Sequence, residues 1–69
     1  MEMIYVESSN IESIGYDSEQ AILHIKFISG ELYEYYDVPS YVFDELLSSD
    51  SKGKYAHENI YDVYRGTRI

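Results

Sequence analysis

Cysteine is absent from this 69-residue chain, so neither a disulfide framework nor a thiolate zinc site can brace it. Proline occurs once and glycine four times, as expected of one small domain and nothing larger. No apolar run approaches the roughly 18 residues of a membrane span, so no membrane role is expected. The opening stretch, Met1 to Glu7, lacks the basic region of a signal peptide. Together with the missing cysteine, that gives the expectation of a cytoplasmic protein. Basic residues are also scarce: five against thirteen acids, for a net charge of −8.

Hydrophobic residues, by contrast, make up 45% of the chain and include nine Tyr and two Phe, too many for a disordered acidic tail. One domain over residues 1–69 is the expectation. A chain of this size buries only about 60% of its unfolded surface, so its stability margin is thin. The charge is uneven. Residues 1–50 carry eleven acids and only Lys26, for −10, whereas residues 51–69 carry Lys52, Lys54, Arg65 and Arg68 against Glu58 and Asp62, for +2. A mostly anionic domain is repelled by phosphate backbones, whose binding relies on cations that displace condensed counterions. A cationic end could still dock locally.

The pattern runs strands first, then helices. Ile11 to Tyr16 reads as a short strand, and Asp17 to Gln20 as a turn in which Asp and Ser bond their own backbone. Ala21 to Ile28 is rich in β-branched and aromatic residues and reads as the strongest strand. Ser29-Gly30 supplies a tight hairpin, with Gly30 free to take positive φ, and Glu31 to Val38 returns as a third strand. Register decides which tyrosines are buried. A three-residue loop pairs Ile25 with Tyr33 and Leu23 with Tyr35, giving one face of Leu23, Ile25, Phe27, Tyr33 and Tyr35. A two-residue loop slips the strand and turns Glu34 onto that face, where an unpaired carboxylate is costly. The three-residue loop is therefore preferred.

Pro39 ends the strand side, since it cannot donate to a ladder, and Pro39-Ser40 opens a helix. Val42, Phe43, Leu46 and Leu47 form its apolar stripe, and Ser48-Ser49-Asp50 terminates it. A second short helix is expected from Ser51 as cap to about Asn59, bringing Tyr55, Ala56 and Ile60 inward. The tail, Tyr61 to Ile69, has no clear period and reads as an edge strand or an extended arm. The expectation is an α+β fold: a three-stranded antiparallel β-meander followed by one or two short helices packed on one face.

Little in the chain points to catalysis. The nine serines fall mostly at turns and caps, and there is no Gly-x-Ser-x-Gly elbow. His57-Glu58-Asn59-Ile60-Tyr61 begins like a zinc-protease helix, but Tyr61 stands where the second histidine must be. His24 sits mid-strand beside Lys26 and Glu34, the ordinary place for a histidine bonding a carboxylate. Asp50 to Lys54 lacks both the spaced acids of a calcium loop and the full glycine–Ser/Thr frame of a phosphate loop. No catalytic residue, cofactor, metal or small-molecule substrate is expected. Tyrosine is the oddity. Tyr16, Tyr33, Tyr35 and Tyr55 are expected in the core, and Tyr36, Tyr41, Tyr61 and Tyr64 at the surface, where aromatic rings anchor protein partners or stack on single-stranded nucleic acid.

Read in order, Ser8-Ser9-Asn10-Ile11, Ile14-Gly15-Tyr16-Asp17, Phe27-Ile28-Ser29-Gly30, Tyr33-Glu34-Tyr35-Tyr36-Asp37-Val38-Pro39, Ser51-Lys52-Gly53-Lys54-Tyr55 and the closing Arg68-Ile69 resemble the KTSC domain. That module is named for its occurrence at the C-terminus of some lysyl-tRNA synthetases, and it also occurs as a free-standing bacterial or phage protein. The Tyr-x-Tyr-x-x-Val-Pro run followed by Ser-Lys-Gly-Lys-Tyr is the specific part. The resemblance implies a small domain with no established activity, for which RNA binding has been suggested by association. On that suggestion Tyr33 and Tyr35 would meet bases and Lys52 and Lys54 phosphate. Asp37 stands where a small or glycine-like residue is expected, and Ala56-His57 where an aromatic and an Asn are.

Two functional expectations follow. The first is a non-catalytic module that binds a protein partner, or a second copy of itself, through an acidic, tyrosine-rich surface. The second is a single-stranded RNA or tRNA accessory domain using the basic C-terminal end and exposed tyrosines. The candidate surface is Lys52, Lys54, Tyr36, Tyr61, Tyr64, Arg65 and Arg68.

Overall fold

A computed structural model describes residues 2–69. The chain runs through β1 (Ile4–Tyr5), β2 (Ile11–Asp17), β3 (Ile22–Phe27) and β4 (Leu32–Tyr35). It then forms α1 (Ser40–Ser48), α2 (Lys52–Ala56), a π-helical turn (His57–Tyr61) and β5 (Gly66–Arg68). The described residues build an antiparallel five-stranded sheet in the order β1-β2-β3-β4-β5. The α+β class and the central meander match the sequence pattern; the strand number does not. The two edge strands are two and three residues long, too short for alternation to show, and β5 returns to β4 only after the helices.

The central hairpin has the expected register, with Leu23 opposite Tyr35 and Ile25 opposite Tyr33. Its loop is the three residues from Ile28 to Gly30, closed by Phe27 N–H on the Glu31 carbonyl at 2.8 Å. Gly30 has φ +105°, a conformation open to glycine and costly to residues with a Cβ. The preceding turn is held by the Asp17 carboxylate, which accepts from the N–H groups of Glu19 and Gln20. A bulge at Glu12 interrupts the β2–β3 ladder.

One sheet face carries Ile14, Leu23, Ile25 and Tyr35. These bury against Val42 and Leu46 of α1, Ala56 of α2, Ile60 of the π-turn, and Ile11 and Val38. The opposite face is polar. There His24 lies 3.5 Å from Glu34, and Lys26 lies 3.7 Å from Glu12. The Tyr36 hydroxyl donates to Glu34 at 3.1 Å. Glu34 thus lies outside the core, as the preferred loop requires.

Pro39 occupies the cap position of α1, with Ser40 as the first helical residue. At the other end the free carbonyls are taken up locally. Ser48 donates to Asp44 and Glu45, Ser49 to Leu46, and the Lys52 ammonium to Ser49 at 3.1 Å. That is why Ser48-Ser49-Asp50 ends the helix: the side chains satisfy carbonyls that a further turn would have used. Among the described residues no helix is long and apolar enough to cross a membrane.

Candidate functional site: an aromatic groove

Phe27 ends β3, and Tyr33 and Tyr35 alternate on β4, so the pleat puts all three rings on the core-side face. A fourth ring, Tyr61, arrives from the π-turn. Because this turn bonds i→i+5, Tyr61 follows the buried Ala56 by one full turn and shares its face. In a continued α-helix it would point aside. Tyr61, expected at the surface of a tail without a clear period, is accordingly half-buried. Tyr35 is buried at 6% exposure, whereas Tyr16, Tyr33 and Tyr55, also expected in the core, are half-buried and pack against it.

The four rings contact one another in a closed circuit. Phe27 meets Tyr33 edge-on at 5.7 Å, and Tyr33 stacks on Tyr35 at 6.3 Å. Tyr35 stacks on Tyr61 at 6.0 Å, and Tyr61 returns to Phe27 at 6.2 Å. Together with Ile28 they wall an open groove of about 640 Å³ whose polar rim is Ser9, Asn10, Ser29 and Glu31. The Tyr61 hydroxyl is buried and has no hydrogen-bond partner, an uncommon state for a buried polar atom. Burial, and secondarily Tyr35, pushes its pKa up to about 12, so it stays protonated at neutral pH. Burial likewise raises the Tyr35 hydroxyl, with Tyr33 adding to the effect.

Asn10 separates this groove from a second, polar depression of about 600 Å³ that holds Lys52 and Lys54. Its position is tightly set: a Cβ on Gly53 would stand 2.9 Å from the Asn10 side-chain oxygen, and the Asn10 carbonyl accepts from Ile28 N–H. The two lysines share the depression with Glu7, Asp50 and Glu58, so it is not cationic. Among the described residues no three His, Asp or Glu side chains group as metal ligands.

The candidate residues do not form one surface. Arg68 lies opposite Tyr33 in the β4–β5 register, which brings it beside the groove, and Tyr61 is part of the wall. Lys54 is exposed across Asn10, and Lys52 is engaged at the end of α1. Tyr36 is on the far sheet face with Glu34. Tyr64 packs against the core, and the pKa of its hydroxyl is raised by burial first and then by the charge of Tyr41 and a hydrogen bond with Tyr41. Arg65 is exposed, its carbonyl accepting from Tyr36 N–H. Phe27, Tyr33 and Tyr35 emerge as wall residues that a core assignment conceals. Their signal in the sequence is that the preferred register puts all three on one face near the hairpin end.

Most of the two signature runs has structural work. Tyr35 and Val38 are core residues, and Val38 is held at both ends, its N–H on the Ala21 carbonyl and its own carbonyl accepting from the Tyr16 hydroxyl. Asp37 has φ +57°, which explains why a glycine-like residue suits that position. Ser51 caps α2, Lys52 caps α1, Gly53 admits Asn10, and Tyr55 donates to Glu45. Of that run, only Lys54 is left with an exposed side chain and no such role.

The KTSC domain model matches residues 7–64. A protein of Tsukamurella paurometabola is 41% identical over 64 residues, spanning 93% of this chain and 96% of that one. A lysine–tRNA ligase of Trichormus variabilis is 43% identical over 54 residues, 78% of this chain but 10% of the ligase. The crystal structure of a KTSC domain protein from Yersinia pestis superposes with a TM-score of 0.93 at 33% identity, covering 99% of this chain and 96% of that one. With the family model spanning most of the chain and the fold reproduced nearly end to end, this chain belongs to the KTSC domain family.

Proposed function

We propose that the chain is a non-catalytic protein-interaction module whose contact site is the aromatic groove. One observation carries this reading: four mutually packed aromatic rings line an open groove that has no lysine or arginine in its lining. Aromatic side chains in such concave, partly desolvated settings are the usual energetic anchors of protein interfaces. The net charge of −8 favours partners of opposite sign and suppresses binding to polyanions. The cations that could hold phosphate lie apart, on α1's end, across Asn10 and on β5.

The test is selection of linear peptides from a random displayed library by the folded domain. Enrichment of a common pattern that the Tyr33→Ala variant fails to select supports the groove; no enrichment counts against it. A second reading, binding of single-stranded RNA, is favoured by the similar segment within lysine–tRNA ligases and by Arg68 standing opposite Tyr33. Amide-resolved NMR with a mixed-sequence 12-nucleotide RNA separates the two. Shifts at Phe27, Tyr33, Tyr61 and Arg68 that fade as salt is raised would establish RNA binding and displace the protein reading. A spectrum unchanged at low salt removes RNA as a general ligand.

A further inference from the structure

Resting on the protein-binding reading, we infer that the groove takes a cationic side chain, a guanidinium or an ammonium, from an extended basic segment of a partner protein. Two features converge on that chemistry. The walls are aromatic, and ring faces carry the negative part of the quadrupole that attracts cations within about 6 Å of a ring centroid. Neighbouring centroids here are 5.7 to 6.3 Å apart, so the rings pack on one another and a cation seats against the groove side of the wall, not between two rings.

The second feature is charge. Glu31 is the one ionised residue in the lining, no lysine or arginine shares it, and the whole chain stands at −8. Arg68, beside Tyr33 on the neighbouring strand, is outside the lining and sets the side from which a basic segment does not approach.

The experiment is a titration of the labelled domain, followed by amide shifts and calorimetry, with three blocked octapeptides. They are identical except at two positions, which carry arginine, norleucine or glutamate. The arginine peptide is expected to shift Ile28, Glu31, Tyr33 and Tyr61 and to bind at least tenfold more tightly than the norleucine peptide, with the glutamate peptide silent. Tyr33→Leu, which keeps apolar volume and removes the ring face, should weaken arginine-peptide binding at least fivefold. Tyr41→Leu, on the exposed face of α1, should leave it unchanged.

Norleucine binding in the groove as tightly as arginine overturns the inference while leaving the protein reading standing. An arginine peptide that shifts nothing at millimolar concentration also overturns it, as do shifts confined to acidic residues away from the groove. RNA shifting the groove residues where no peptide does overturns both. Because the peptide series is read on the unaltered domain, a variant that fails to fold leaves the comparison intact.

Discussion

Gly66 is the position where a single methyl group tests the packing of the groove. It lies opposite Tyr35 in the β4–β5 ladder. A Cβ built there would stand 2.5 Å from Tyr35 Cε1 and 2.8 Å from Cδ1, well inside van der Waals contact. The ring has little room to yield, because Tyr33 and Tyr61 stack on it at 6.3 and 6.0 Å and the residue is 6% exposed. Overpacking of this kind costs about 1–3 kcal/mol. Alanine's lower chain entropy in the unfolded state returns about 0.5–1 kcal/mol. Gly66→Ala is therefore expected to lose about 1 kcal/mol, and at most about 2.5 kcal/mol. A domain of this length has only about 3–10 kcal/mol in total, and each kcal/mol shifts Tm by about 4–8 °C. Urea unfolding followed by circular dichroism should show a lower midpoint at unchanged slope. In a Tyr35→Leu background the same alanine should cost much less, since the clashing ring is gone. Stability of Gly66→Ala at or above that of the parent would refute the close approach of ring and backbone.

Three further outcomes are expected. Ala21, at φ +57°, adopts a left-handed conformation that costs an L-residue about 1–2 kcal/mol. Ala21→Gly should stabilise by up to about 1 kcal/mol after the entropic loss, and Asp37→Gly, also at φ +57°, by less because Asp tolerates that region better; denaturant midpoints decide both. Lys52→Ala should cost about 1 kcal/mol through the lost bond to the Ser49 carbonyl, whereas Lys54→Ala should be neutral; equal effects would undo the structural account of the Ser-Lys-Gly-Lys-Tyr run. The Tyr61 and Tyr55 hydroxyls are both pushed up to about 12, Tyr61 by burial and then Tyr35, Tyr55 by burial and then Glu45. Folded tyrosine thus holds its proton where unfolded tyrosine, near 10, has lost it, so their contribution is fully present below pH 10 and is lost as pH rises towards 12. Unfolding midpoints between pH 9 and 12 should fall, less steeply in Tyr61→Phe, and ultraviolet absorbance should report the late-ionising phenols.

The meander, the three-residue hairpin loop and the two helices were legible in the residues because each rests on local chemistry. Gly30 turns the hairpin, burying Glu34 would be costly and so selects the register, Pro39 breaks the strand and Ser51 caps α2. The family was legible for a related reason: much of its signature runs consists of such locally constrained positions, among them Asp37 in the left-handed region and Gly53 against Asn10. The edge strands were not legible, because two or three residues carry no period and β5 exists only where the helices return the chain to β4.

Nor was the groove. Phe27, Tyr33 and Tyr35 share a face by alternation, which sequence alone reads as core. Whether that face is covered depends on what packs over it. The π-turn decides this: by winding i→i+5 after Ala56 it brings Tyr61 to the edge of the aromatic face, closing the ring circuit and leaving the groove open beside it. No residue from His57 to Tyr61 announces that extra residue in the turn. It goes with Ile60 finding the core and Tyr61 finding the rings of Phe27 and Tyr35, a balance of packing that the chain acquires only when folded.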